Sequence, residues 1–305
     1  MNTIQYYIVD VFANAPYEGN QLAVFLDLTN QLSTDQMQRI AREINFAETT
    51  FIKANKHDQR FAVRIFTPEH EIPFAGHPSL GTSYIIAKFL LSEPPRTLTL
   101  ELAHGDLLIS IIKPDKIDES LFYMQQTQPE IREAFDHKEV AAALKINAKD
   151  LDYALPIQEI STGLPYIIIP MKSLAAINRL ELLYQPFKNF LISKKKYRAN
   201  SSTGHSTSLF FFTSETHDRA NDYHARMLLI ENNKVSEDAA TGSANGCLLA
   251  YLLKYSRSEI KAIVEQGFQV GRKSYIYLEG EMANDHYKIN VGGRNRLIAT
   301  GNWYI

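Results

Sequence analysis

Two short stretches of the sequence place a glycine at the start of an apolar helix. The first is Ala75-Gly76-His77, ahead of a run that ends near Leu91, and the second is Thr241-Gly242-Ser243, ahead of GCLLAYLLKY. The first turn of a helix has N–H groups without internal partners, and the helix dipole makes this end positive. A glycine there lets a ligand approach the backbone closely. The pattern indicates two binding sites for an anion such as a carboxylate, although ordinary glycine-led helix starts have the same spacing.

The two stretches also resemble each other when Gly76 is aligned with Gly242. Each has a small residue, a glycine and a polar residue, followed by a helix with one charged residue in its body. They lie about half the chain apart, which indicates an internal duplication with one unit in each half. A helix that is apolar on nearly every face must be enclosed by protein. We therefore expect two similar domains that wrap strands around one central helix each, with the two helix starts facing each other.

Other patterns place the remaining elements. Ser33 and Gln36 form a capping-box pair ahead of a helix, and the strand-like TTFIK follows that helix. Glu48 therefore lies on a connection between a helix and a strand, where a side chain can point into a cleft. We expect an N-terminal domain over 1–125, completed by the last strand at about 295–305, and a C-terminal domain over 126–294. The polar, proline-containing stretch 125–135 suits a linker between them.

Composition limits the class of protein. The chain has 305 residues, of which 45% are hydrophobic and 22% are charged, as in ordinary globular proteins. A net charge of −2 gives no electrostatic case for nucleic acid or an anionic membrane, and no apolar run is long enough to span a bilayer. Cys247 is the only cysteine, and no histidine spacing indicates a metal site. We expect a cytoplasmic protein without a metal, a nucleic-acid partner or a membrane partner.

Several motifs together resemble the phenazine-biosynthesis isomerase family, also called PhzF-like. They extend over essentially the whole chain, and they are VDVF with EGNQLAV, NFAETTFI, RIFTPEHEIPFAGHPSLGT, EDAATGSAN, QGFQVGRKS and the closing VGG. The resemblance implies an α+β, diaminopimelate epimerase-like fold. In this fold two pseudo-symmetric domains each have a mostly antiparallel, β-barrel-like sheet around a central apolar helix. It also implies a homodimer, a small carboxylate-bearing substrate and no cofactor.

The resemblance implies a role for each candidate residue. Glu48 would be the catalytic acid/base in the cleft between the domains. Five further residues would bind the substrate: Gly76, His77, Asp238, Gly242 and Ser243. Asp238 would orient a substrate amine or hydroxyl, or hydrogen-bond His77, and the sequence does not choose between these. The chain has Ala239 where the family commonly has proline, and it also departs from the family pattern at Asn245; both changes leave these groups in place.

The absence of a cysteine at either helix start limits the types of reaction that the chain can catalyse. Epimerases and racemases with this fold carry one thiol at each helix start, and the aligned positions here are Ala75 and Thr241. Alanine cannot carry a proton, and an unactivated threonine is a poor base. Inversion by two thiols is therefore excluded. One carboxylate can remove a proton from one carbon and return it to another on the same face, which is a 1,3-type isomerisation. We expect the substrate to be a conjugated, cyclic metabolite.

Two alternatives to an isomerase stay open. One is a family member that binds a metabolite or a protein partner without catalysis. The other is a hydrolase with Ser243, His77 and Asp238 as a triad, although Ser243 lies in T-G-S-A and not in a G-x-S-x-G nucleophile elbow. For any of these functions, we expect the loops at 190–206 and 215–225 to shape ligand specificity.

Overall fold

The chain folds into two compact units. The computed structural model describes residues 2–55, 59–199, 204 and 206–305. Residues 1–125 and 292–305 form the first unit, and residues 126–291 form the second. The chain therefore leaves the first unit once and returns to it with its last segment.

The first unit contains nine strands and two α-helices among the described residues. Its strands are β1 (Thr3–Val11), β2 (Asn20–Leu26), β3 (Glu48–Asn55), β4 (Arg60–Phe66), β5 (Glu71–Ile72), β6 (Thr97–Leu102), β7 (Gly105–Ile111), β8 (Phe122–Gln125) and the C-terminal β18 (Asn295–Tyr304). Its helices are α1 (Thr34–Ile44) and α2 (Gly76–Ile85), with a π-helical turn at Ile86–Leu90 and a 3₁₀ turn at Pro114–Glu119. Antiparallel pairs dominate, and only β2 with β3 and β4 with β6 pair in parallel.

Helix α2 is the enclosed element of this unit. Every residue from His77 to Ala87 is buried, and the helix contacts β1, β2, β3, β6, β8 and β18. The prediction of an apolar helix surrounded by strands is confirmed. The alternation along β2 shows how the sheet achieves this, because Leu22 points at α2 while Ala23 and Phe25 pack on the side of α1. The capping box predicted for α1 is also present at Ser33 and Gln36.

The second unit has the same kind of sheet. Its strands are β9 (Glu130–Phe135), β10 (Ile157–Ser161), β11 (Pro165–Pro170), β12 (Ser208–Thr213), β13 (Tyr223–Glu231), β14 (Lys234–Asp238), β15 (Glu259–Gln266), β16 (Ser274–Ala283) and β17 (His286–Gly293), whose last two residues belong to the first unit. Its helices are α3 (His137–Leu144), α4 (Leu174–Asn178), α5 (Tyr184–Ser193) and α6 (Gly242–Tyr255), with a 3₁₀ turn at Ala148–Asp150. Helix α6 contacts β10, β11, β15 and β16.

The order of strand pairings repeats from one unit to the other. In the first unit an antiparallel pair, β1 with β2, is followed by the parallel pair β2 with β3, the antiparallel pair β3 with β4 and the parallel pair β4 with β6. The second unit has the same series in β10, β11, β12, β13 and β15. Helices α2 and α6 hold equivalent places in this order. The expected α+β fold of two pseudo-symmetric halves is confirmed.

The predicted linker at 125–135 is wrong over half its length. Residues Glu130–Phe135 form strand β9, which pairs antiparallel with β10. Most β9 side chains are exposed, so polar residues cost little there, while the backbone hydrogen bonds to β10 define the strand. Polar composition alone therefore could not separate a linker from a strand whose side chains face solvent.

Gly81 sets how closely α2 approaches the sheet. A Cβ atom at Gly81 would lie 2.6 Å from Leu22 Cδ2 and 2.7 Å from Val11 Cγ2, and both neighbours are fully buried. Overpacking of this kind costs about 1–3 kcal/mol. We expect Gly81→Ala to lower the free energy of unfolding by about that amount, as measured by chemical denaturation.

Ser83→Ala is the matched control on the same helix. The Ser83 hydroxyl is buried without a hydrogen-bond partner, so its removal is expected to be neutral or slightly stabilising. Equal stabilities for Gly81→Ala and Ser83→Ala would contradict the close approach of α2 to β1 and β2.

Candidate active site

Glu48 and His77 meet in the first unit. Glu48 is the first residue of β3, where the chain leaves the left-handed C-cap of α1 at Asn45. His77 is the second residue of α2. Glu48 Oε2 lies 3.4 Å from His77 Nε2, and the two side chains are 18% and 8% exposed. A half-buried carboxyl group therefore contacts an imidazole at the start of the central helix.

Burial keeps the His77 ring neutral. Removal from water lowers the pKa of His77 to about 3, although a hydrogen bond to the backbone of Gln21 opposes this shift. The positive end of the α2 dipole also disfavours an imidazolium ion at this position. Near neutral pH the ring is thus a hydrogen-bonding group without charge.

The start of α2 leaves backbone donors without side-chain caps. Ala75 is the N-cap in an extended conformation and makes no side-chain cap hydrogen bond, in contrast to Ser33 at α1 and Asp136 at α3. Ser79 Oγ donates a 2.8 Å hydrogen bond to the Ala75 carbonyl. Pro78 has no N–H, so Gly76 and His77 supply the amides of this first turn. Such an end can accept a carboxylate.

The start of α6 in the second unit is held by a polar network. Thr241, its N-cap, donates from Oγ1 to Asp238 Oδ2 at 2.6 Å. Gln266 Nε2 donates to Thr241 Oγ1 at 2.9 Å and to the Asp238 carbonyl at 3.0 Å. Asn245 Nδ2 donates to Gln266 Oε1 at 3.0 Å. The Thr241 hydroxyl is used as donor and acceptor, which fits a structural role and not a base.

Ser243 does not cap α6 but contacts a neighbouring strand. Its Oγ lies 2.7 Å from the hydroxyl oxygen of Tyr166, a buried residue of β11. No side chain caps the first turn of α6, so Gly242 and Ser243 present their amides there as Gly76 and His77 do at α2. The Tyr166 hydroxyl orients the Ser243 hydroxyl at this helix start.

The duplicated halves differ at the position of the carboxyl group. In the parallel pairing of β2 with β3, Glu48 lies opposite Leu22. In the equivalent pairing of β11 with β12, Ser208 lies opposite Tyr166. Ser208 is therefore the counterpart of Glu48, and it cannot act as a carboxylate base. The first unit alone carries an acid/base group at this position.

The structure thus groups the predicted residues around two helix starts, one in each unit. Glu48, Gly76 and His77 lie together in the first unit, and Asp238, Gly242 and Ser243 lie around the start of α6 in the second. Sequence reasoning missed three supporting residues: Gln21, Tyr166 and Gln266. Gln266 begins the QGFQVGRKS motif, which was a usable signal. The contacts of Gln21 and Tyr166 have no local sequence signature.

The structure shows what surrounds the two residues that depart from the family pattern, Ala239 and Asn245. Asn245 joins the network of Gln266 and also donates to the Thr241 carbonyl at 3.0 Å. A Cβ atom at Gly267 would lie 2.4 Å from the Ala239 carbonyl oxygen, and Gly267 has φ +77°. Position 239 is therefore packed directly against a turn that only glycine fills comfortably.

Glu265 anchors the loop that follows β12. Its buried carboxylate accepts 2.8 Å hydrogen bonds from the backbone N–H groups of His217 and Asp218 and from the side chain of Asn221, and it contacts His224 Nδ1 at 3.2 Å. Burial raises the pKa of Glu265, but these hydrogen bonds outweigh it and lower the pKa to about 2. The expected specificity loop 215–225 is therefore held at a fixed point. Residues 200–203 and 205 of the other such loop, 190–206, lie outside the described residues.

Two structural features bear on metal binding and on membrane insertion. No group of three or more His, Cys, Asp or Glu side chains in the described ranges is arranged to hold a metal ion. No helix among the described residues is long and apolar enough to cross a membrane. Cys247 is buried in α6, and burial raises the pKa of its thiol to about 12.

Comparison with known proteins identifies relatives over the whole chain. The family model described as phenazine biosynthesis-like protein matches residues 9–301. The chain is 31% identical over 305 residues to trans-2,3-dihydro-3-hydroxyanthranilate isomerase of Pseudomonas aeruginosa, and 99% of each chain is covered. These matches include the residues at both helix starts.

Solved structures show the same fold. A phenazine biosynthesis protein of the PhzF family from Bacillus anthracis matches with a TM-score of 0.86 and 28% identity, covering 100% of each chain. A hydroxyproline epimerase from Agrobacterium vitis matches with a TM-score of 0.60 and 12% identity, covering 99% of this chain and 91% of its own. The second likeness concerns the fold alone.

The network around Thr241 makes a testable contribution to stability. Thr241→Val keeps the shape but leaves Asp238 Oδ2 and Gln266 Nε2 each without one partner. Gln266 Nε2 keeps the Asp238 carbonyl as an acceptor, so the loss is the net contribution of the Thr241 hydrogen bonds, about 0.5–1.5 kcal/mol each. We expect chemical denaturation to show a loss of that size for Thr241→Val.

Thr241→Ser is the matched control for this loss. It retains the hydroxyl and removes one methyl group, so it is expected to cost less than Thr241→Val. If the two variants unfold at the same denaturant concentration, the hydrogen bonds to Asp238 and Gln266 do not stabilise the start of α6.

Proposed function

The chain belongs to the phenazine biosynthesis-like family of isomerases, and we propose that it catalyses a cofactor-free 1,3-type proton shift with Glu48 as the single base. The proposed substrate is a small, cyclic, carboxylate-bearing metabolite with a conjugated system next to the migrating proton. The observation that carries this proposal is the pairing of Glu48 with His77 at the start of α2, without a carboxyl counterpart in the second half.

One base is what a proton shift requires. Glu48 takes a proton from one carbon and delivers it to another, so it must exist in both protonation states during each turnover. Its side chain is 18% exposed and therefore largely shielded from bulk water, which limits proton exchange with solvent. A racemase needs a second proton-transfer group on the opposite face, and the equivalent strand offers only Ser208.

The two helix starts supply the binding groups. We propose that the amides of Gly76, His77, Gly242 and Ser243 are substrate-binding groups, each pair acting at its own helix start. The uncapped first turns of α2 and α6 support this assignment. The same donors stabilise negative charge that spreads from the reacting carbon toward the carboxylate. Asp238 orients a substrate amine or hydroxyl through the carboxylate that Thr241 holds in place.

The relatives suggest which compound to test first. The similar Pseudomonas aeruginosa protein is named as an isomerase of trans-2,3-dihydro-3-hydroxyanthranilate, a cyclic amino carboxylate with a conjugated system. This compound has a carboxylate, an amine and a C–H group next to the conjugated system. These are the groups that the proposed site residues would bind or deprotonate. The proposal also includes a homodimer, as the family resemblance implies, and a cytoplasmic location, as expected from the composition and the single cysteine.

Glu48→Gln tests the assignment of the base. Glutamine has nearly the same shape but cannot carry the proton. We expect the turnover number to fall by at least about 10²–10⁴-fold, the usual contribution of a positioned acid/base group. Proton NMR in D₂O follows the isomerisation, and calorimetric titration with the substrate measures binding, which we expect to be retained.

Glu43→Gln is the matched control, because Glu43 is an exposed residue of α1 that touches none of the site residues named above. It is expected to be as active as the natural protein. Full turnover by Glu48→Gln would refute the single-base isomerase.

Two alternatives give different results in the same assays. A binding protein without catalysis would bind the compound but neither isomerise it nor exchange its hydrogen for deuterium. A hydrolase with Ser243, His77 and Asp238 would be labelled by a serine-directed phosphonate. Ser243 is already hydrogen-bonded to Tyr166, and Asp238 to Thr241, which favours the isomerase over the hydrolase.

A further inference from the structure

Strand β15 of the second unit has an open edge over its first residues. It pairs antiparallel with β16 along its whole length, but on its other side it pairs with β13 only near its end, at Val264 and Glu265. Asp222 extends this side by one residue, because its N–H donates to the Ile263 carbonyl at 2.9 Å and its carboxylate accepts from the Ile263 N–H at 2.8 Å. No strand among the described residues pairs with residues 259–262 on that side.

The backbones of two residues face this open edge. Successive residues of a strand direct their N–H and C=O groups to opposite edges. The Ser258 carbonyl, just before β15, accepts a 2.8 Å hydrogen bond from Met282 of β16, so the even-numbered residues face β16. Ile263 faces the other way, and Glu259 and Lys261 do so as well. Their N–H and C=O groups are therefore available to an additional strand.

A groove lies beside this edge, where an additional strand would be placed. It has a volume of about 250 Å³ and is lined by Ser214, Asp222, Tyr223, Arg257 and residues 259–262. Ile260 and Ala262 are each 7% exposed, so their side chains are buried within the unit. The side chains of Glu259 and Lys261 are exposed to solvent. The edge thus offers a backbone for pairing and two charged side chains on its outer face.

These two charges are complementary to a second copy of the same edge. Glu259 and Lys261 are two residues apart, so they lie on one face of the sheet. In an antiparallel pair with a two-fold axis at Ile260, Glu259 of each copy lies opposite Lys261 of the other. An axis at Glu259 or at Lys261 would place like charges opposite each other, which destabilises a strand pair. Lys261 lies 4.0 Å from Glu279 of its own chain and is still 81% exposed, so it can reach a partner.

We infer that β15 joins two copies of this chain, pairing antiparallel with β15 of the partner subunit about Ile260. The inference rests on the proposed homodimer and assigns its interface. Glu259 and Lys261 of the partner subunit exchange both main-chain hydrogen bonds across the axis and form an ion pair, and the symmetry repeats this contact. Edge strands that carry one sign of charge, often lysine, avoid such pairing. This edge carries both signs in the order that favours it.

Reversal of one charge tests the interface and its register. Lys261→Glu places two carboxylates opposite each other across the axis, and Glu259→Lys places two ammonium groups there. We expect each single reversal to raise the dimer dissociation constant at least about tenfold, because every affected pair changes from attractive to repulsive. Analytical ultracentrifugation of the full chain over a dilution series measures this constant.

The double variant Glu259→Lys/Lys261→Glu separates charge pairing from general disruption of the edge. It exchanges the two charges and restores both pairs across the axis. We expect its dissociation constant to return close to that of the natural protein. Lys288→Glu is the matched control, because Lys288 is an exposed residue of β17 that contacts Glu281 at 3.5 Å, and its reversal is expected to leave dimerisation unchanged. Circular dichroism and thermal unfolding verify that each variant is folded.

Amide hydrogen exchange gives a second, residue-specific measurement. The N–H groups of Ile260 and Ala262 bond to β16 in the monomer and in the dimer alike. Those of Glu259 and Lys261 face the open edge and are bonded to another strand in the dimer. We expect exchange at Glu259 and Lys261 to become faster as dilution dissociates the dimer, while Ile260 and Ala262 stay protected.

The outcomes distinguish this interface from the proposals on which the article has already relied for function. A dimer that neither single reversal weakens has another interface, so the inference fails and the homodimer stands. Weakening by both single reversals without recovery in the double variant also overturns the inference, because the charges then do not pair across the axis. A monomer at every concentration refutes the homodimer and the interface together. The isomerase is tested separately by Glu48→Gln.

Discussion

A helix that is enclosed by protein on every side can meet a ligand only at its ends, and this constraint governs both halves of the molecule. Helices α2 and α6 are buried along almost their entire length, so their surfaces are committed to packing. Their first turns still carry amides that the helix itself cannot satisfy. Neither turn is capped by a side chain, whereas α1 and α3 are capped by Ser33 and Asp136. Burying the central helices therefore leaves two uncapped helix starts, which we propose as the anion-binding groups.

The duplication gives both halves the same series of strand pairings. The halves differ at one position that matters for the proposed reaction. The strand pairings repeat closely enough that Glu48 in β3 has a definite counterpart, Ser208 in β12. A second carboxyl group or a pair of thiols would allow protons to be handled on two faces of a substrate. The first unit has one carboxyl group with a neutral histidine beside it, and we propose that this carboxyl group moves a proton between two carbons on one face. Thr241, at the position of a thiol in epimerases, is instead tied to Asp238 and Gln266.

Features with a local or periodic signature could be predicted from the sequence. The caps at Ser33 and Asp136, the two apolar helices and the repeat of the helix starts all follow from residue types at fixed spacing. Glu48 stood out through the family resemblance, not through its own surroundings. The contact of His77 with the Gln21 backbone and that of Ser243 with Tyr166 join residues far apart in sequence, and a backbone carbonyl has no residue type at all. Strand β9 was missed because its exposed polar residues resemble those of a linker.

The most direct test of the central claim asks whether the uncapped helix starts bind a carboxylate. Backbone amide NMR of the ¹⁵N-labelled protein, titrated with a non-reacting cyclic amino carboxylate, follows Gly76, His77, Gly242 and Ser243 separately. The account predicts that these amides shift along saturating curves, because the first turns of α2 and α6 carry N–H groups that the helix itself cannot satisfy. Shifts at other amides while these four stay unchanged would contradict it.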